Sequence, residues 1–221
     1  MRTCAYISGA SFRVCIACEF FFTFADMIVC VHVYRDLFPS GRYLFMYRDI
    51  VTVAKSLYRV SIANLPSGRL LILLGYLSGH ATKMIIDAMG LDGSDFRVRL
   101  DNDLTYGVLM CAVTTSSYLD QRRRGFDVSA LRYEDLVARP LDMCRVILEF
   151  CHLPVSLAEK AVKAFDSDSQ KNSILAKSVV GSIMEPQLTA QTKKKLNELL
   201  KKHGVPLIGE PDVIDGTLTC H

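Results

Sequence analysis

YLFMYRDIVTVAKSLY, residues 43–58, joins a short apolar run to an arginine–aspartate pair and then to a helix-forming segment. Residues 43–47 are all apolar or aromatic and too few for a helix, which suits a short buried strand. Arg48 and Asp49 end that run. Aspartate is a good acceptor for the free amides of a helix start, so a helix carrying Ser56 is expected to follow. An arginine at a strand's carboxyl end and a hydroxyl on the next helix can converge on one anion. In open α/β sheets, ligands sit in the crevice beyond the strand ends. Arginine offers a fixed fork of donors suited to phosphate oxygens, and serine adds a neutral donor.

Working outward, residues 131–140 read LRYEDLVARP and residues 141–154 read LDMCRVILEFCHLP. The stretch AFDSDSQKNS occupies residues 164–173. Together with Tyr47-Arg48-Asp49 and a serine eight positions after the arginine, these blocks resemble the sulfotransferase family. The resemblance implies an α/β, P-loop-type three-layer fold, a mostly parallel sheet flanked by helices. It also implies 3′-phosphoadenosine 5′-phosphosulfate as co-substrate and sulfuryl transfer to a hydroxyl-bearing acceptor. Arg48 and Ser56 match the pair that holds the donor's 3′-phosphate, and Tyr133 matches the tyrosine that approaches the adenine. Residues 167–173 fall in the adenine pocket region, and no metal is implied. The residues themselves leave plainer alternatives open: an ion pair for Arg48, a bond back to its own helix for Ser56, and a core position for Tyr133.

The chain departs from the family pattern at four points. The segment ISGASF, residues 7–12, faintly resembles the family's Lys-Ser-Gly-Thr-Thr-Trp phosphosulfate loop with Ile7 in the lysine's place, and an ordinary turn is the favoured reading. A glycine turn before a helix start suits an anion, but an aliphatic side chain cannot neutralise developing negative charge. Ser8 and Arg48 are only forty positions apart, about half the family spacing, so the fold is expected to be incomplete and shortened at its amino terminus. His32, His80 and His152 lack a supporting pattern, so the catalytic base is unassigned. The basic glycine-rich segment of the cytosolic members is also missing: only Lys177 and Gly181 stand near its place, and the chain has no tryptophan. This points to a divergent branch, with a sugar, a lipid or a small alcohol as acceptor.

Three functions follow as expectations. The first is a sulfotransferase-like enzyme. The second is a catalytically inactive nucleotide-binding remnant, or a fragment whose longer form carries the loop upstream. The third, outside the family, is a helical interaction protein with no anion site around Arg48.

The chain of 221 residues is half hydrophobic and 22% charged, with a net charge of +3. That is globular composition, and so small a positive excess gives no footprint for nucleic acid. Arg122-Arg123-Arg124 and Lys193-Lys194-Lys195 read as solvated helix ends. Eight cysteines are scattered; Cys15 and Cys18 form a CxxC with no partner pair at zinc spacing, and buried apolar thiols are the expected role. Residues 14–33 are almost wholly apolar but interrupted by Glu19 and Asp26. A buried helix is expected there, with a membrane anchor second. The compartment lies between cytoplasm and Golgi lumen, with the cytoplasm favoured.

The expected organisation is an atypical apolar segment over 1–25, a sulfotransferase-like domain over 26–208 and a polar tail over 209–221, loose from Ile208. Before residue 43, a strand is expected at 5–7, a turn at 8–11, a helix over 12–34 and a turn at 38–41. A break follows at 66–68, with an apolar run at 70–74. Helices are expected over 104–121, from Pro140 onward, from a capping box at Ser156 and Glu159, and over 188–203, the last stopped by Gly204 and Pro206.

Overall fold

Alternating side chains on residues 43–47 fill two different clusters, which makes this segment a strand rather than a turn of helix. The structure is a computed structural model that describes residues 36–64, 104–166 and 184–220. The expectations at 5–7, 8–11, 12–34, 66–68, 70–74 and 167–173, and those for Ile7, Cys15, Cys18, His32, His80, Lys177 and Gly181, lie outside these residues. The chain divides into two units, Met1–Arg48 with Ser117–Ser169 and Val213–His221, and Asp49–Ser116 with Gln170–Asp212. Helices together with a small parallel sheet make the described protein mixed α/β.

In the first unit, strand β1 (Tyr43–Tyr47) pairs in parallel with β2 (Val128–Arg132), Tyr43 opposite Val128 and Tyr47 opposite Arg132. The expected turn delivers the chain into β1: the Gly41 amide and the Tyr43 hydroxyl both donate to the Phe38 carbonyl at 2.9 Å. One face of the sheet packs Tyr43, Phe45, Tyr47, Val128 and Ala130 against Tyr118 and Ile214. The other packs Leu44 and Leu131 against Leu136, Met143, Cys144 and Leu148. Burial on both faces explains why β1 reads as a continuous apolar run, as strands of parallel sheets do.

Tyr118 belongs to α2 (Thr105–Arg123), the helix that follows α1 (Ile50–Asn64) among the described elements. Its ring stacks on Phe45 with centroids 4.7 Å apart. On the opposite face lie α3 (Tyr133–Ala138) and α4 (Pro140–Phe150). Pro140 sits in the first turn of α4, as expected, where its missing amide costs nothing. The helix closes at Cys151, with His152 in the left-handed region and Leu153 donating back to the Leu148 carbonyl at 2.8 Å.

The capping box expected at Ser156 does not form. The chain instead makes a 3-10 turn, Val155–Leu157, before α5 (Ala158–Val162), and neither start has a side-chain cap. Pro154 precedes the turn and sets its geometry, so Ser156 falls inside the turn rather than ahead of a helix. A second 3-10 turn, Lys163–Asp166, follows.

The expected loose tail is ordered against the sheet over its last part. Ala130 of β2 donates to the Gly216 carbonyl and accepts from the Leu218 amide, both at 2.8 Å. The tail therefore covers the β2 edge that β1 leaves open. Ile214 is buried, and its amide donates to the Tyr47 hydroxyl at 3.4 Å. That hydroxyl lies 3.0 Å from Thr217 Oγ1, which donates to the Ile214 carbonyl at 2.7 Å. Tyr118 donates to the Asp215 carbonyl at 2.8 Å. Gly216 has φ of +77°, and a Cβ there would stand 2.5 Å from Arg122 Cζ, so only glycine fits this turn.

The second unit holds α1, the first half of α2 and α6 (Ala190–His203). Asp49 caps α1 as expected, its carboxylate accepting from the Thr52 amide at 2.7 Å and from the Thr52 hydroxyl. Gly107 lets α2 approach α1 closely, since a Cβ there would lie 2.6 Å from Ala54 Cα. The last helix starts at Ala190, slightly later than the expected 188, because Thr189 is its cap and accepts from the Thr192 amide at 3.1 Å. Leu196, Leu199 and Leu200 are buried, and Gly204 in the left-handed region stops it. No helix among the described residues is long and apolar enough to cross a membrane.

Candidate anion site at the strand ends

Parallel pairing carries Arg48 and Tyr133 out of the sheet side by side. Tyr47 and Arg132 are register partners at the carboxyl ends of β1 and β2, so the next residues of each strand emerge at the same rim. Arg48 Cζ lies 4.7 Å from the centre of the Tyr133 ring, within range of a cation–π contact. Its Nε is 3.5 Å from Glu134 Oε1. Arg132 stands alongside, with Nε 3.8 Å from Glu134 Oε2 and Nη1 3.7 Å from Asp135 Oδ1. Two cations and two carboxylates thus share one rim.

These ion pairs are long. At 3.5–3.8 Å none has the geometry of a good charge-assisted hydrogen bond. The Arg48 side chain is 41% exposed, and an exposed pair of this kind contributes about 0.2–1 kcal/mol. The plainer alternative, an ion pair with a neighbouring carboxylate, therefore describes Arg48 here, but the pair is weak enough for a stronger acceptor to displace it. Tyr133 is half-buried and serves as the plate beneath the guanidinium.

Ser56 lies on α1, half-buried, and belongs to the second unit. Of the three residues expected at the site, the structure brings Arg48 and Tyr133 together and describes Ser56 in that other unit. Glu134 and Arg132 were not singled out by sequence reasoning. Their signal was a cation followed closely by two carboxylates in Arg-Tyr-Glu-Asp at the end of an apolar strand.

His152, one of the histidines without a role, has its Nε2 3.1 Å from Arg42 Nη2, well away in sequence from the rim. Burial, and to a lesser degree the Asp49 charge, pushes the Cys111 thiol up to about 12. Burial also raises that of Cys144. Neither is a thiolate at neutral pH, so neither is a nucleophile there. Among the described residues, no three histidine, cysteine, aspartate or glutamate side chains are grouped to hold a metal ion. No family model, curated protein or solved structure matches this chain.

Proposed function

We propose that this chain is a divergent sulfotransferase-like protein that binds 3′-phosphoadenosine 5′-phosphosulfate and serves a hydroxyl-bearing acceptor. The finer fold that goes with this reading is the P-loop-type three-layer arrangement. One observation carries the reading. Arg48 and Tyr133, the expected phosphate and adenine contacts, come from separate parts of the sequence and meet at the carboxyl ends of adjacent parallel strands. That rim is where open α/β sheets hold ligands.

The residues present fit a nucleotide phosphate in a specific way. Arg48 is exposed, loosely paired and pre-oriented by the ring beneath it. A phosphate offers the guanidinium a two-point contact that the Glu134 carboxylate does not make at its present distance. The donor supplies the sulfuryl group, and what the protein contributes to such a transfer is mainly positioning and charge stabilisation. Arg48 would hold the end of the nucleotide remote from the reacting sulfur, so its role is binding and orientation.

A second reading, nucleotide binding without transfer, is favoured by Ile7 at the position of the family's lysine. Titration calorimetry with adenosine 3′,5′-bisphosphate tests the shared element of both. Saturable binding is expected, and Arg48→Ala should weaken it by about 1.5–3 kcal/mol, as for loss of a hydrogen bond to a charged group. Unchanged affinity in that variant removes Arg48 from the site. Sulfuryl transfer to a panel of sugar, lipid and small-alcohol acceptors then separates enzyme from remnant.

A further inference from the structure

In the second unit, a single carboxylate spans two cations of α1. Glu185 Oε2 lies 3.1 Å from Lys55 Nζ, and Glu185 Oε1 lies 3.1 Å from Arg59 Nη1. Lys55 and Arg59 are one helical turn apart, so they project from one face, and Ser56 is three residues before Arg59 on the adjoining row. Among the described residues the charges do not balance, because two cations face one monoanion. The hydrogen bonds do not balance either: Arg59 Nε is buried and has no hydrogen-bond partner among the described residues. Glu185 itself is exposed, in a stretch without helix or strand that also exposes Met184.

We infer that Lys55, Ser56 and Arg59 form a binding site for a tetrahedral dianion, the phosphate of a monoester or free phosphate, and that Glu185 is an internal competitor for it. A dianion supplies the second negative charge that the carboxylate lacks. Its additional oxygens provide acceptors for Arg59 Nε and for the Ser56 hydroxyl, while the guanidinium engages it through two nitrogens. Entry of the external anion releases Glu185 from Lys55 and Arg59. The site rests on the second unit alone and stands whether or not Arg48 and Tyr133 bind a nucleotide.

The test uses the full chain, Glu185→Gln and Arg59→Gln at fixed ionic strength in chloride. Each is titrated with inorganic phosphate and separately with glycerol phosphate, with backbone amide shifts as the readout. Glu185→Gln should bind up to about thirtyfold more tightly than the parent, the factor that corresponds to removing two exposed ion pairs. Arg59→Gln should abolish saturable binding. Tighter binding of both probes identifies a monoester site, and of phosphate alone a free-phosphate site. Equal half-saturation in the parent and Glu185→Gln, or retained binding in Arg59→Gln, overturns the inference and leaves Glu185 as a structural clasp. Glu185→Asp keeps the charge but shortens its reach, and it carries the same comparison if Glu185→Gln does not fold.

Discussion

Arg122 donates to Asp215 at 2.8 Å and to the Val128 carbonyl at 2.7 Å, whereas Arg48 stands 3.5 Å from Glu134 with a tyrosine ring beneath it. Both arginines belong to the first unit, and each lies beside a carboxylate near the two-stranded sheet. Arg122 is covered by the turn at Gly216, which leaves no room for a Cβ, and it ties the carboxyl-terminal tail to β2. Arg48 sits exposed at the strand-end rim. Distance and cover, rather than the identity of the pair, separate the arginine that ties the tail to the sheet from the one that is loosely paired.

That contrast is most strongly tested at Tyr118, which is fully buried, stacked on Phe45 and bonded to the tail. Tyr118→Ala should lower stability by about 3–5 kcal/mol in urea unfolding, as for other large aromatic deletions. A loss near zero would mean that the tail side is not the firm side. Arg122→Gln should cost about 1–2 kcal/mol, chiefly through the Val128 carbonyl it leaves unpaired. Arg48→Gln, in the same assay, should cost less than about 1 kcal/mol. If the two losses were equal, the distinction between a firmly and a loosely held arginine would fail.

A subtler check uses pH. Burial first, and the Asp215 and Tyr47 charges to a lesser extent, hold the Tyr118 hydroxyl well above its usual range against the opposing effect of Arg122. A phenol raised on folding stabilises the native state fully below its unfolded value, about pH 10. That contribution is lost as pH climbs from there toward the folded value. The urea midpoint should therefore fall above about pH 10, and Tyr118→Phe should fall less steeply. The smallest effect is expected at Arg124, whose pair with Asp120 is exposed on α2. Arg124→Ala should change stability by about 0.3–0.5 kcal/mol, near the limit of a urea titration.

The elements legible in the chain were those fixed by neighbours in sequence. Asp49 caps α1 because an aspartate ahead of a helix can reach amides three residues on. Pro140 opens α4 and Gly204 closes α6 for similarly local reasons. Ser156 misled because a capping pattern competes with the proline before it, and the chain took a 3-10 turn instead. The tail misled more. Residues 208–221 are polar on average, but Ile214, Thr217 and Leu218 meet Tyr47 and Ala130, partners that no local pattern names.

At the candidate site, Arg48 was legible from its place after an apolar strand and Tyr133 only from a resemblance. Their contact was not legible at all, since it depends on a parallel register between strands far apart in sequence. Glu134 and Arg132 entered the rim for the same reason. By itself, the amino-acid order determined the strand, the helix starts and stops, and which residues carry charge, because these depend on backbone chemistry within one or two turns. Tertiary structure alone decided which charged groups face one another, how loosely Arg48 is held and where the tail rests. Those outcomes follow from the packing of distant side chains on both faces of β1 and β2, and sequence periodicity contains no term for that packing.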